Sequence, residues 1–242
     1  MAVATQPTGQ TCTVSNGSGT LAGANVSNVG VTCVNETYTL GGLLTGLAAG
    51  DTVVLQNNGG DDLPLGADGS FTFNTPVAYG DPYVVTVKTQ PTAPSETCTV
   101  INSSGKMPAN DVKDVSVICA VDTFTVGGTL SGLSSGQSIV LQNNGGDDLT
   151  LSADGSFTFA SPLADATAYT VTILTQPDGQ TCTVSNGSGT VAGAPVTDVT
   201  VTCTDNPVAP PAKPVPTMSV WLLGLMSVVL AGIGALRTRR KI

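Results

Sequence analysis

The chain has 242 residues, with 17 acidic and 8 basic side chains, a formal net charge of −9 and no histidine. The lack of histidine excludes Ser-His-Asp and Cys-His catalysis and histidine metal ligands, and the negative charge excludes a nucleic-acid-binding protein, which needs clustered Lys and Arg. Aromatic residues make up 4% of the chain, too few for surfaces on which bases or sugars stack.

Long segments of the sequence occur twice. The matching pairs are 15–33 with 185–203, 55–63 with 141–149, and 67–73 with 153–159. Their spacing predicts an incomplete unit at residues 1–34 and two complete units, repeat 1 at residues 35–120 and repeat 2 at residues 121–204. Repeat 1 carries two extra residues between Thr89 and Cys98.

The incomplete unit matches only the back part of a repeat. Half a β-domain does not bury its own core, and two explanations remain open. The chain is a fragment of a longer repeat protein, or its start was assigned too late, with an internal valine codon read as the initiator. The missing signal peptide agrees with both explanations and therefore does not indicate a cytoplasmic protein.

Each complete repeat shows about seven short strand patterns. In repeat 2 the predicted strands are 123–130, 138–142, 148–152, 156–160, 169–175, 181–185 and 196–204. In the last of them Val199, Val201 and Cys203 share one face, because side chains alternate between faces along a strand. Alternation with frequent turn signals predicts tandem all-β sandwiches of immunoglobulin-like type, with no helical segment before residue 218.

The most polar segment of each repeat is NNGGDD, at residues 57–62 and 143–148. Calcium prefers oxygen ligands, so a calcium site is one interpretation of its carboxylates. Those carboxylates are Asp61, Asp62, Asp147 and Asp148. A type I′ hairpin turn at Asn-Gly, flanked by solvated Asp, is the other interpretation. We favour the turn because the segment lacks the EF-hand spacing with its distal glutamate.

Other polar residues are interpreted as turn residues too. They are Asp68-Gly69, Asp154-Gly155, and the three asparagines that begin Asn-x-Ser sequences, Asn16, Asn102 and Asn186. Adjacent residues on a strand face opposite sides, so Asp61 and Asp62 do not converge as a general acid/base pair. No converging nucleophile, base or metal set is visible, and we expect neither an enzyme nor a cofactor.

The six cysteines form three pairs, each separated by 21 residues. The pairs are Cys12–Cys33, Cys98–Cys119 and Cys182–Cys203. Each lies on the last two predicted strands of a unit, so a hairpin of those strands brings the cysteines together at its open end, and three disulfides are expected. Closing such a loop stabilises a unit by about 3 kcal/mol. Free thiols in a reducing compartment, or a zinc site, are the less favoured alternatives.

The C-terminal part has a different composition. Residues 205–217 hold five prolines and predict an extended linker, and residues 219–236 follow with no charged side chain. As a helix those 18 residues would span about 27 Å, close to the hydrocarbon thickness of a bilayer. The basic cluster of Arg237, Arg239, Arg240 and Lys241 then predicts a cytoplasmic C-terminus, with the repeats outside.

The start of this apolar segment carries a short motif. Its residues are Val215, Pro216, Thr217, Met218, Ser219 and Trp221. With the apolar span and the basic end, the motif resembles the IPTL-CTERM sorting signal of bacterial surface proteins, in which Ile-Pro-Thr-Leu precedes Ser, Trp, a hydrophobic helix and basic residues. Val215 and Met218 stand where that family has Ile and Leu. The resemblance covers residues 215–242, and the predicted sorting segment is 218–242.

This resemblance implies recognition and cleavage by an exosortase-type transpeptidase of the inner membrane. The repeats also resemble immunoglobulin-like modules of bacterial surface proteins, which implies a structural or adhesive array. We therefore expect a non-enzymatic protein of the bacterial cell surface or extracellular matrix. We expect its precursor to cross the membrane once, and envelope or matrix polysaccharide is a candidate partner.

Three alternatives differ in class. A plain membrane anchor would lack cleavage at the motif. A calcium-dependent adhesion module would use the NNGGDD segments, and a carbohydrate-binding accessory region would belong to a larger surface enzyme. Apart from the NNGGDD segments, no residue pattern points specifically to the calcium-dependent module or to the carbohydrate-binding region.

Overall fold

The computed structural model describes residues 1–207. Within this range every regular element is a β-strand, and there is no helix long and apolar enough to cross a membrane. Residues 1–205 belong to one compact unit of the chain. The predicted apolar span and basic cluster lie outside the described residues, as does the linker after residue 207.

The incomplete unit contains one antiparallel pair, β1 (Gln10–Ser15) and β2 (Gly30–Asn35). No other strand pairs with either of them among the described residues. Val31 on β2 is 61% exposed, whereas Val201, at the corresponding position of repeat 2, is 0% exposed. The pair therefore leaves in solvent the apolar face that a complete repeat buries.

Repeat 1 is a sandwich of two four-stranded sheets. Its strands are β3 (Thr37–Tyr38), β4 (Leu40–Thr45), β5 (Val53–Asn57), β6 (Gly60–Leu65), β7 (Gly69–Thr72), β8 (Val77–Ala78), β9 (Pro82–Thr89), β10 (Glu96–Ile101), β11 (Ser104–Lys106) and β12 (Val112–Val121). One sheet has the order β10-β12-β4-β7 and the other β11-β9-β5-β6, while β3 pairs with β8. β4 and β12 are parallel, and the other pairs are antiparallel.

Repeat 2 has the same topology. Its strands are β13 (Thr123–Phe124), β14 (Val126–Ser131), β15 (Ile139–Asn143), β16 (Asp147–Leu151), β17 (Gly155–Thr158), β18 (Leu163–Ala164), β19 (Ala168–Thr175), β20 (Gln180–Ser185), β21 (Ser188–Thr190) and β22 (Val196–Asp205). The sheets have the orders β17-β14-β22-β20 and β16-β15-β19-β21. Each repeat thus has the two-sheet architecture that the alternating pattern predicts.

The number of strands differs from the prediction, which was about seven in each repeat. The segment predicted as one strand at 123–130 is divided into β13 and β14, and the sequence did not indicate β18 or β21. These extra strands have two or three residues each. Segments this short show no measurable alternation, and they are strands only because distant segments pair with them.

The core of each repeat lies between its two sheets. Leu44, Leu55 and Val117 are fully buried in repeat 1, and their neighbours include both disulfide cysteines of that repeat. In repeat 2, Val199 and Val201 are 0% exposed and Cys203 is 5% exposed, which confirms the shared face predicted for these three residues. The two cores consist of different residues and do not merge.

A glycine permits the parallel pair in each repeat. A Cβ atom at Gly128 on β14 would lie 1.8 Å from the carbonyl oxygen of Val199 on β22. At Gly42 on β4 the corresponding distance, to the carbonyl oxygen of Val115, would be 1.7 Å. Any side chain here would collide with backbone that is itself part of the sheet, so the first and last long strands pair only through glycine.

One buried polar position differs between the repeats. In repeat 1, Glu96 is 2% exposed and its carboxylate accepts hydrogen bonds from the Ala48 N–H at 3.0 and 3.2 Å. In repeat 2, Gln180 accepts from the Ser134 N–H at 3.0 Å and also donates to the carbonyl oxygen of Gly132 at 2.9 Å. The amide therefore satisfies both a donor and an acceptor of the backbone.

We expect Glu96→Gln to raise the free energy of unfolding of repeat 1 by about 1 kcal/mol, because the amide avoids burying a charge and can donate to the carbonyl oxygen of Gly46. Urea unfolding at pH 7, followed by hydrogen exchange of core amides, measures the change. The reverse substitution, Gln180→Glu, is the matched control and should destabilise repeat 2. A Glu96→Gln variant less stable than the natural protein would contradict this account.

Candidate functional site: the joints between units

The residues predicted to direct sorting lie outside residues 1–207. They comprise Val215, Pro216, Thr217, Met218, Ser219 and Trp221 of the motif and Arg237, Arg239, Arg240 and Lys241 of the basic cluster. The described part of the chain contains the other predicted sites, which are the NNGGDD segments and the disulfides. It also contains the contacts that join one unit to the next.

The NNGGDD segments form the predicted type I′ turns. Asn58 and Gly59 have φ angles of 50° and 72°, and Asn144 and Gly145 have 51° and 70°. Positive φ at both central residues defines this turn and matches the twist of the flanking strands. The sequon asparagines are also turn residues, with φ of 53° to 55°. They are Asn16, Asn102 and Asn186.

The carboxylates beside the turns have separate partners. Asp61 accepts a hydrogen bond from the Thr75 N–H at 2.9 Å, while Asp62 accepts from Gln56 Nε2 at 2.9 Å and pairs with Lys88. The corresponding contacts in repeat 2 are Asp147 with Ser161 and Asp148 with Gln142. These carboxylates thus remain accessible to solvent and also bind other segments of their repeat, which the sequence did not indicate. Among the described residues no three His, Cys, Asp or Glu side chains form a group that could hold a metal ion.

Asp68 and Asp154 have hydrogen-bond partners beyond their own turns, which the sequence did not indicate. The carboxylate of Asp68 accepts hydrogen bonds from the N–H groups of Gly46 and Leu47, both at 2.9 Å. Asp154 binds the equivalent pair in repeat 2, Gly132 and Leu133. Each carboxylate thereby holds the chain as it leaves the first long strand of its repeat.

Three disulfides join the cysteines that the spacing pairs. They are Cys12–Cys33, Cys98–Cys119 and Cys182–Cys203, each with a Cα–Cα distance of 3.9 Å. In every unit the two cysteines are direct neighbours on antiparallel strands. In the complete repeats those strands are not a simple hairpin, because β11 and β21, which lie between them in the chain, belong to the opposite sheet.

A glutamine amide covers the backbone of the edge strand at each disulfide. Gln90 Nε2 donates to the carbonyl oxygen of Cys98 at 3.0 Å, and its Oε1 accepts from the Cys98 N–H at 2.8 Å. Gln6 binds Cys12 and Gln176 binds Cys182 in the same way. An amide in this position replaces a neighbouring strand and blocks edge-to-edge pairing. These glutamines were missed in the sequence, although the recurrence of Thr-Gln-Pro at residues 5–7, 89–91 and 175–177 could have identified them.

The joint between the incomplete unit and repeat 1 is built on Glu36. Its backbone N–H donates to the carbonyl oxygen of Gly9 at 2.8 Å, and its carbonyl oxygen accepts from the Tyr79 N–H at 2.8 Å. Its carboxylate accepts from Thr11 Oγ1 at 2.9 Å. The Tyr79 ring covers Gly9 so closely that a Cβ atom there would lie 2.3 Å from the ring carbon Cγ. This joint combines aromatic packing with backbone hydrogen bonds.

The joint between repeats 1 and 2 keeps the backbone hydrogen bonds and changes the side chains. Asp122 N–H donates to the carbonyl oxygen of Ser95 at 2.9 Å, and its carboxylate accepts from Ser95 Oγ at 2.5 Å and Thr97 Oγ1 at 2.7 Å. Asp165 accepts from the Ser95 N–H and the Gly193 N–H, both at 2.7 Å. The Asp165 carboxylate thus binds backbone of both repeats.

The two joints use matched residue pairs. Gly9 and Tyr79 in the first correspond to Ser95 and Asp165 in the second, and Glu36 corresponds to Asp122. The two extra residues of repeat 1 lie in the loop that ends at Ser95. No local pattern indicates the contact between Ser95 and Asp165, because these residues are 70 positions apart in the chain.

Asp165 and Asp122 are held as carboxylates by these contacts. The N–H groups of Ser95 and Gly193 lower the pKa of Asp165 from its ordinary value. The Ser95 and Thr97 hydroxyls lower the pKa of Asp122, while the nearby charge of Asp165 acts in the opposite direction. Because both pKa values are lower in the folded state, the stabilisation is present above the unfolded-state pKa and is lost as pH falls through the folded-state pKa.

We expect the amide proton signals of Ser95 and Gly193 to shift together during acid titration, with one midpoint below the ordinary pKa of aspartate. Two-dimensional NMR of the labelled protein measures both signals at once. In an Asp165→Asn variant this titration should disappear, and hydrogen exchange at both amides should become faster. Unrelated midpoints for the two amides would show that they do not share this carboxylate.

No protein-family model matches the chain, and no curated protein matches it. Solved structures with a similar fold exist. The Bacillus anthracis TIE protein is 13% identical, with a TM-score of 0.44, and the match covers 74% of this chain and 37% of that one. This chain therefore spans little more than a third of that structure's length.

Two further structures are a fragment of a pilus adhesin and two repeat units of a collagen binding protein. The C-terminal fragment of the pilus adhesin SpaC from Lactobacillus rhamnosus GG is 11% identical, with a TM-score of 0.35, over 72% of this chain and 100% of the fragment. Two B repeat units of the collagen binding protein of Staphylococcus aureus are 16% identical, with a TM-score of 0.26, over 84% and 57% of the two chains. All three likenesses concern the β-sandwich fold.

Proposed function

We propose that this chain is a non-enzymatic bacterial surface protein whose disulfide-linked repeats act as structural or adhesive modules and whose C-terminal tail directs sorting. The observation that carries the proposal is the pair of hydrogen-bonded joints that connect consecutive units. Complete repeats that have separate cores and are joined by such contacts suit an extended array, because each added repeat lengthens it without altering the cores of the others.

The disulfides support a location outside the cytoplasm, since such bonds persist in oxidising compartments. The tail supports membrane insertion with the repeats outside, because its apolar span precedes a basic cluster. In this proposal an exosortase-type transpeptidase of the inner membrane cleaves near residues 215–219. The released part then resides at the cell surface or in the matrix, where polysaccharide is a candidate partner.

Intact mass of the protein from its native host tests the proposal. A product ending near residues 215–219, lighter than the reduced chain by six hydrogens, is the expected result. Pro216→Ala should cause the uncleaved precursor to accumulate, whereas Ser227→Ala within the apolar span is a matched control. An uncleaved product in the membrane would show that the tail is only a membrane anchor. Free thiols in a cytoplasmic product would overturn the proposed surface location.

A further inference from the structure

The two complete repeats differ at one sheet edge. β6 and β16 are the corresponding edge strands, and each pairs on one side only, with β5 and β15. Pro64 on β6 lies opposite Val54, and Thr150 on β16 lies opposite Val140 in the same register. Proline has no N–H group, so this position makes no donor contact to the neighbouring strand. Hydrogen-bonded and non-hydrogen-bonded pairs alternate along antiparallel strands, and proline fits the ladder only at a non-hydrogen-bonded pair. The shared register therefore indicates that the N–H of Thr150 is directed away from β15, toward the open edge.

Proline at an edge prevents a further strand from adding to the sheet. Repeat 1 has this protection at Pro64, and repeat 2 has replaced it with a residue that can donate a hydrogen bond. On the other sheet of repeat 2 the edge strand β20 remains blocked, because Gln176 binds the backbone of Cys182. The β16 edge thus lacks the protection that the corresponding edge of repeat 1 has at Pro64.

A second difference lies on the outer face beside the same edge. In repeat 1, Lys88 on β9 reaches Asp62 on β6 and forms an ion pair. In repeat 2 the equivalent of Lys88 is Leu174, which is 52% exposed. Asp148, the equivalent of Asp62, keeps the hydrogen bond from Gln142 Nε2 at 2.6 Å. Repeat 2 contains seven acidic and no basic residues, so it supplies no cation of its own.

We propose that the β16 edge of repeat 2 binds an extended segment of another protein that carries Lys or Arg. The segment pairs with the backbone of β16, including the N–H of Thr150, and its cation binds Asp148 as Lys88 binds Asp62 in repeat 1. Strand addition supplies affinity through backbone hydrogen bonds, and the charge selects the partner. The inference goes beyond the proposed function, since it does not depend on how the tail is processed.

Charge argues against a second copy of this chain as the occupant. Pairing two β16 strands would bring Asp147 and Asp148 of both copies to one sheet edge, with no basic residue in either repeat 2 to compensate. Like charges on paired strands are destabilising. A basic segment meets the same edge with complementary charge.

The test uses the full chain in detergent micelles and a fluorescent synthetic peptide, KTVTVTK, with ETVTVTE as the matched control. Fluorescence anisotropy should show binding of the basic peptide that weakens with added salt. Thr150→Pro and Leu174→Lys should each weaken binding by about tenfold or more. Both substitutions install the residue that repeat 1 already has at that position, so repeat 2 is expected to remain folded, as circular dichroism can verify.

A gain of binding in repeat 1 provides a second arm. Pro64→Thr combined with Lys88→Leu should create a second site for the basic peptide, and Pro64→Thr alone should create a weaker one. Equal binding of both peptides, or unchanged binding by both the Thr150→Pro and Leu174→Lys variants, would overturn the proposal. So would a dimer of the natural chain that Thr150→Pro dissociates, because the edge would then serve self-association.

Discussion

Removal of one disulfide should lower the free energy of unfolding of repeat 2 by about 3 kcal/mol, because the bond closes a loop of 21 residues that is free in the unfolded chain. The change is Cys182→Ala together with Cys203→Ala. The two residues are direct partners on β20 and β22, so alanines leave the strand pairing in place. Urea unfolding, followed by hydrogen exchange of the Val199 and Val201 amides, measures the loss.

The other disulfides are the controls for this experiment. Removing Cys98–Cys119 should destabilise repeat 1 to a similar extent and leave the core amides of repeat 2 nearly unchanged, because the two cores are separate. Removing Cys12–Cys33 should affect neither core. A loss below about 1 kcal/mol in repeat 2 would show that its strands hold the loop closed without the bond.

The largest effect of a single added methyl group is expected at Gly128. Gly128→Ala should reduce the stability of repeat 2 by about 3 kcal/mol or more, since the new Cβ atom would lie 1.8 Å from the carbonyl oxygen of Val199 and the strands must separate. Urea unfolding of the purified variant measures this. Gly42→Ala should act in the same way on repeat 1.

Gly146→Ala is the matched control, because a Cβ atom at Gly146 would have no neighbour within 4 Å. Its effect should stay within about 0.5 kcal/mol. If Gly128→Ala were as mild as this control, the parallel pair of β14 and β22 would have to accommodate a side chain, and the geometry described for the first and last strands would be wrong.

The joints bear on how such an array would be assembled. Tyr79 requires the open Gly9 in the first joint. In the second joint Asp165 accepts a hydrogen bond from the Ser95 N–H and Asp122 accepts one from the Ser95 hydroxyl, so each joint suits its own pair of units. Exchanging the partners would place Tyr79 against Ser95, whose side chain occupies space that Gly9 leaves free. The contacts at each joint therefore favour the order in which the units occur along the chain.

Strand positions in the repeats could be predicted because alternation is a local property. The spacing of Val199, Val201 and Cys203 predicts that they share one face of a strand. The Asn58-Gly59 pair predicts a type I′ turn, because Asn and Gly tolerate positive φ angles. The disulfide partners could also be predicted, since the same spacing between cysteines occurs three times. The short strands β18 and β21 could not be predicted, because they form strands only by pairing with remote segments.

The polar residues show the same division. Asp61, Asp68 and their equivalents were recognised as belonging to turns, but their backbone partners on other segments were not foreseen. Asp165 gave no signal at all, since nothing in its neighbourhood indicates that it meets Ser95 in the preceding repeat. Every residue except proline has a backbone N–H group, so the residue type of the partner does not reveal which N–H a carboxylate binds.

The sequence by itself determined the repeat lengths, the β-sandwich class, the tight turns and the cysteine pairing, because each depends on residue spacing within a short segment or on repetition of that spacing. The tertiary structure decided the parallel pairing of β4 with β12, the joint at Ser95 and Asp165, and the contrast between the β6 and β16 edges. These features arise where segments distant in the chain meet, and their energies depend on distances between atoms that no linear pattern encodes.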